Sequence, residues 1–226
     1  MGEFISGIST AFRDGGIWMM FIMFAQIASL AIIAERVFAL YVLRKPNQKN
    51  AAMTFENDIK KGQLERVIAT AQAMGPAVPI AVVAKAGAQA AMDMGGKEEI
   101  QLKIDEVLLE EQSRVEKRTG FLAMLGNVGT LLGLLGTIVG LIRAFSSVGA
   151  ANPAEKAALL SQGVAEAMYA TAYGLIMALP ALVMFSVLTN RSNELSEDLS
   201  KAALKMYIWL GFNYESVPAK SSKRIG

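Results

Sequence analysis

Hydrophobic and polar positions alternate along the chain in long blocks. Ile17–Ala34, Phe121–Ile142 and Ala157–Asn190 are almost continuously apolar and share a single charge, Glu166. An apolar run of about 18 or more residues matches the ~30 Å hydrocarbon layer of a bilayer at 1.5 Å per helical residue. Three transmembrane helices in an all-α integral membrane protein are therefore predicted, and a soluble globular domain is excluded. Residues 50–120 have a different texture, with helical apolar faces set among charges. Gly62, Gly75–Pro76, Pro79 and Gly95–Gly96 divide that stretch into short helices. Ile80–Ala91 is apolar and Ala-rich but too short to span and holds Lys85, so a buried helix is expected there rather than a re-entrant segment.

From Lys97 onward Ile100, Ile104, Val107, Leu108 and Val115 form an apolar stripe at helical spacing, with Glu99–Lys103 and Glu110–Arg114 as i,i+4 pairs. No proline lies between Lys97 and Phe145, so one helix of about 49 residues, about 73 Å long, is predicted. The third span is expected to do the same, running from Glu155 through the membrane into SNELSEDLSKAALKMYIWLGF with a Glu197–Lys201 pair. The final VPAKSSKRIG is expected to lack fixed structure.

The resulting organisation is an N-terminal segment 1–16, a first span 17–40, a helical domain 41–120, a second span 121–147, a loop 148–156, a third span 157–190 and a helical tail 191–226. Pro46 is expected to stop the first helix, just past Arg44 and Lys45. No basic n-region precedes the first span and no small-residue cleavage site follows it, so it is expected to stay in the mature chain. Lys and Arg set the orientation: 13 lie from Arg36 to Arg118 and six from Arg191 onward, against Arg13 and Lys156 on the other side. Positive flanks stay cytoplasmic, which predicts an outer N-terminus with the domain and the tail inside.

Composition narrows the chemistry. Lys and Arg number 22 against 20 Asp and Glu, and the net charge of +2 with no basic patch gives no reason to expect nucleic acid as a partner. Cysteine and histidine are both absent, which removes disulfides, thiolates, the usual metal ligand and the usual near-neutral acid–base group. No metal, no cofactor and no enzymatic nucleophile–base pair is expected. Proton chemistry falls to carboxylates, tyrosines or lysines.

Two spans carry polar groups beside small-residue stripes. Gly126, Gly129, Gly133, Gly136 and Gly140 are spaced 3-4-3-4 in the second span and fall on one helical face, where a partner backbone can approach closely. Thr130 and Thr137 flank that stripe, either serving a pathway or bonding their own backbone carbonyls. In the third span Gly163, Ala167, Ala170, Gly174, Ala178 and Ala181 form a similar stripe. Glu166 flanks it on one side and Thr171 on the other, with Tyr173 two turns after Glu166. A charge in hydrocarbon costs at least ~2.5–3.5 kcal/mol on insertion scales, so a glutamate there is by default functional. Hydrocarbon disfavours the charged form, and Glu166 is expected to exchange a proton when a cation or water approaches. The competing reading is a neutral glutamic acid that only joins helices. Arg143, at the outer end of its span, is read as an interface anchor, and Glu35 and Arg36 as a local pair. Pro180 is expected to kink the third helix.

GLLGTIVGLIRAF, Gly133–Phe145, and QGVAEAMYATAYGLIMALPALVMF, Gln162–Phe185, closely resemble the span signatures of the MotA/TolQ/ExbB family of inner-membrane proton channels, and most closely its ExbB/TolQ branch. The resemblance covers nearly the whole chain. It implies a pentameric ring in the bacterial inner membrane around a dimer of a single-span ExbD/TolR-like partner, whose aspartate lies in the pore. It further implies proton flow that drives a TonB-like or TolA-like protein. Glu166 matches the family's glutamate, Thr137 its second-span threonine and Thr171 its third-span threonine. Tyr169, Tyr173 and Arg143 depart from the residues expected at their positions. Two further readings are kept: the same kind of motor driving gliding-type motility, and a non-conducting membrane scaffold. A secondary transporter would need inverted repeats and unwound spans, which three uninterrupted spans do not supply.

Overall fold

The computed structural model describes residues 16–43, 48–93, 96–150 and 152–213. The chain there is helical: α1 Gly16–Val37, a π-helical segment Phe38–Leu43, α2 Gln48–Lys60, α3 Leu64–Met74, α4 Pro79–Asp93, α5 Lys97–Glu116, α6 Thr119–Ala150 and α7 Lys156–Asn213. It divides into two units, Met1–Val37 with Arg118–Thr189 and Phe38–Lys117 with Asn190–Gly226. The readings of Pro46, of residues 1–15 and of the last residues fall outside the described part.

The first unit contains the three apolar windows. Its helices are long and apolar enough to cross a membrane, yet only 17%, 28% and 28% of the most apolar window of each is buried within the chain. Phe21, Phe24, Leu131, Ile142, Ile176 and Val183 are among many large apolar side chains left exposed. Such a surface needs lipid or other protein to cover it.

What holds this unit together is contact between backbones. α1 packs on α6, and Trp18 lies beside Gly136. The glycine stripe of α6 meets the small-residue stripe of α7 position by position: Gly126 faces Ala178 and Leu182, Gly129 faces Met177 and Gly174, Gly140 faces Ala167, and Gly163 faces Ala144. At the centre a Cβ on Gly174 would lie 2.7 Å from the Gly129 carbonyl oxygen and 2.9 Å from the Gly133 Cα. In hydrocarbon the hydrophobic effect does not drive helices together, so dispersion between closely approaching backbones must do so.

The second unit is an ordinary helical core. Phe55 and Ile59 from α2, Val67 from α3, Ile80 and Val83 from α4 and Ile100 and Ile104 from α5 are buried together with Leu199, Met206 and Leu210 from the C-terminal part of α7. Full burial of each large side chain is worth roughly 1.5–3 kcal/mol. Gly62 and Gly75 adopt φ of 71° and 77°, a region open to glycine, and so end α2 and α3. α4 is buried among its neighbours, as expected for a helix too short to span. Gln112 donates to the Ser200 hydroxyl at 2.8 Å and ties α5 to α7.

The expected single helix from Lys97 to Phe145 is corrected: α5 ends at Glu116 and α6 begins at Thr119. Arg118 adopts a left-handed φ of 65°, unusual for a residue with a side chain. Its guanidinium donates to both Glu35 oxygens, at 2.8 and 2.7 Å. No proline marks this break in the sequence, and Gly120 lies two residues beyond it. α7 by contrast runs unbroken for 58 residues and includes Pro180. The Glu110–Arg114 and Glu197–Lys201 pairs form at 2.7 Å each, while Lys103 turns to Glu106 at 2.6 Å instead of Glu99. Both i,i+3 and i,i+4 neighbours share a helix face.

The glycine contacts generate a graded prediction. Gly174→Ala should destabilise the protein by about 1–3 kcal/mol, because its methyl group meets backbone that cannot rotate away. Gly120→Ala has no atom within 4 Å of its new Cβ and should be neutral or stabilising by up to ~1 kcal/mol. Thermal unfolding of the detergent-solubilised protein checks both.

Candidate functional site in the helix hairpin

The hairpin of α6 and the first half of α7 positions every polar residue singled out in the spans. Glycine contacts fix its register, and the polar side chains project from the flanks of the seam, since at 100° per residue the stripe itself leaves no room for them. Thr171 lies on one flank of the α7 stripe and Glu166 with Tyr173 on the other.

The three threonines behave differently. Thr171 Oγ1 crosses the seam and donates to the Gly133 carbonyl oxygen at 3.1 Å. Thr130 donates to the Asn127 carbonyl at 2.7 Å and Thr137 to the Leu134 carbonyl at 2.5 Å, each within α6. Both hydroxyl protons thus bond the backbone of their own helix. A hydroxyl whose proton is committed to the backbone still carries oxygen lone pairs, so each half-buried threonine presents an acceptor on the flank. Acceptors of this kind suit a water molecule or a hydrated cation.

Glu166 is 29% exposed, and its Oε1 lies 3.9 Å from Nη1 of Arg143. Tyr173 is partly buried and Tyr169 more exposed. The structure thus brings Glu166 to Arg143, and Thr171 to the α6 backbone near the turn between Thr130 and Thr137. Outside the spans, Glu197 is held below the usual carboxylate range by its hydrogen bond and charge attraction to Lys201, which is itself raised by Glu197. Both are exposed and serve the helix surface.

Two features escaped sequence reasoning. Asn127 is an exposed amide inside the second apolar window, and its carbonyl accepts the Thr130 hydroxyl. Its spacing of three residues from Thr130 was the available signal. The approach of Arg143 to Glu166 was also legible in principle, had the glycine stripe of one span been aligned with the alanine stripe of the other. Among the described residues no group of three or more His, Cys, Asp or Glu converges on a metal site.

The cross-seam hydrogen bond gives a second prediction. Thr171→Val should cost about 0.5–1.5 kcal/mol, the usual worth of such a bond, and Thr171→Ser should retain most of it. Unfolding of the two variants side by side separates the hydroxyl from the side-chain volume.

Comparison with known proteins agrees with this picture. Residues 76–201 match the model of the MotA/TolQ/ExbB proton channel family, a region that includes α4, α5, α6 and most of α7. A biopolymer transport protein ExbB of Pseudomonas putida is 28% identical over 114 residues, covering 50% of this chain and 34% of the relative. The chain thus aligns with about a third of that protein's length. With the family's matched region extending over more than half of the residues, and with the hairpin that carries its signatures in place, the chain belongs to the MotA/TolQ/ExbB proton channel family.

Proposed function

We propose that this protein is the ring-forming subunit of an inner-membrane ion-motive-force transducer of the ExbB/TolQ type. Several copies, five by family resemblance, enclose a lumen that holds a dimer of a single-span ExbD/TolR-like partner. The large apolar surface left uncovered on a single chain supports association of this kind, since lipid and neighbouring copies can both cover it. In this reading 17–40, 121–147 and 157–190 are the spans, with 1–16 and 148–156 outside. Residues 41–120 and 191–226 stand in the cytoplasm, as their Lys and Arg content favours.

The observation that carries the reading is Glu166. It is the sole charge in the three apolar windows, it is partly exposed on the flank of a rigid helix pair, and it sits in the family's third-span signature. Protons crossing the membrane release ~2.3 kcal/mol per charge per 100 mV. A carboxyl here can accept a proton from the outer side, become neutral and pass it on toward the partner's acid group. The oxygen lone pairs of Thr130 and Thr137, with Thr171 held at the seam, provide acceptors for water along the opposite flank. Alternate charging and neutralisation of the partner would then shift it within the ring. Force would leave through a TonB-like or TolA-like protein, to import or to envelope maintenance, or in a related motor to motility.

The test is Glu166→Gln, which keeps the shape and removes the titrating group. Assembly is expected to persist while voltage-driven proton flux in vesicles carrying the protein and its partner falls to background. Wild-type flux in this variant, or loss of assembly with no flux in the wild type, would leave the scaffold reading standing.

A further inference from the structure

Arg143 has no part in the reading above. Between Thr119 and Ala154 it is the single charged residue, as Glu166 is between Ala157 and Asn190. The close contacts of Gly140 with Ala167 and of Ala144 with Gly163 set these two lone charges beside each other. Arg143 immediately precedes Ala144, and Glu166 immediately precedes Ala167. The result is the 3.9 Å approach of the guanidinium to the carboxylate. Glycine packing imposes it, because neither residue can move along its helix without breaking the backbone contacts.

We propose that Arg143 is a positioning residue that latches Glu166, holding the carboxylate toward the outer end of its span and keeping cations away until the pair opens. This rests on the reading of Glu166 as the proton-transfer group. The guanidinium is charged at every physiological pH, so the site as a whole is neutral while Glu166 is ionised, and an arriving cation meets no net negative charge. The separation suits a latch. Arg114–Glu110 and Arg118–Glu35 close to 2.7 Å each, hydrogen-bonding distance, whereas 3.9 Å leaves attraction without a directional bond. Arg143 is also 58% exposed and Glu166 29%, so the arginine has room to withdraw along its flexible stem toward the interface. When a hydronium ion arrives, one of its O–H bonds breaks as an O–H bond forms on a Glu166 oxygen, neutral water is left behind, and the attraction to the guanidinium is lost. When that O–H bond breaks and the proton passes to a water molecule on the inner side, the carboxylate is restored and the pair closes again.

The experiment measures voltage-driven proton flux in vesicles containing the assembled protein, with and without its partner. It compares Arg143→Gln, Arg143→Lys, Glu166→Gln and the Arg143→Gln/Glu166→Gln double variant. Arg143→Gln should raise partner-independent flux about tenfold, equivalent to about 1.4 kcal/mol off the barrier. Arg143→Lys should stay near wild type, and the double variant should fall to background, because the leak passes through Glu166. Arg143→Asn is the second neutral variant where Arg143→Gln does not assemble. Unchanged or reduced flux in the neutral variants, beside a silent Glu166→Gln, overturns the latch alone. Undiminished flux in Glu166→Gln overturns the reading of the transfer group and the latch with it. If neither neutral variant assembles while Arg143→Lys does, Arg143 is a structural anchor and the latch is wrong.

Discussion

The backbone contact of Gly129 and Gly133 with Gly174 is the constraint on which the membrane unit depends. Hydrocarbon supplies no hydrophobic drive between helices, so α6 and α7 are held by close approach, and close approach needs residues without side chains. That one requirement fixes the register of the hairpin. Once the register is fixed, every polar group in the spans is confined to a flank, Thr171 reaches the Gly133 carbonyl, and Arg143 comes beside Glu166. The polar chemistry is therefore a consequence of where the glycines are.

The second unit follows other rules. Its helices bury Phe55, Ile80, Ile104, Leu199 and their neighbours against one another, as in a water-soluble protein, and its surface carries charge pairs such as Glu197–Lys201. Ion pairs at this exposure contribute little to stability, typically under about 1 kcal/mol. α7 belongs to both units, its first half meeting glycines in hydrocarbon and its second half meeting a conventional core.

Much of this was legible in the sequence because the signals are periodic. The three apolar windows, the glycine stripe and the buried short helix at Ile80–Ala91 follow from local composition and helical geometry. The break at Arg118 was not legible, because no proline marks it and the residue that takes the left-handed backbone is not a glycine. The donors of Thr130 and Thr137 turn back to their own helix, an outcome that sequence spacing left equal to a pathway role. Taken alone, the position of Arg143 at a span end suits an interface anchor; its partner in α7 becomes visible when the two small-residue stripes are laid against each other.

The proposed transducer requires both polar flanks of the hairpin to face water inside a ring of copies and not lipid. The chain contains no cysteine, so a single substitution supplies a unique thiol. Thr137→Cys, in membranes containing the assembled protein without its partner, should react with a water-soluble, membrane-impermeant thiol reagent. Phe24→Cys, on the exposed apolar face of α1, should not. Protection of both positions from the aqueous reagent, with both modified by a lipid-soluble one, would place the threonine flank in lipid and rule out a water-filled ring.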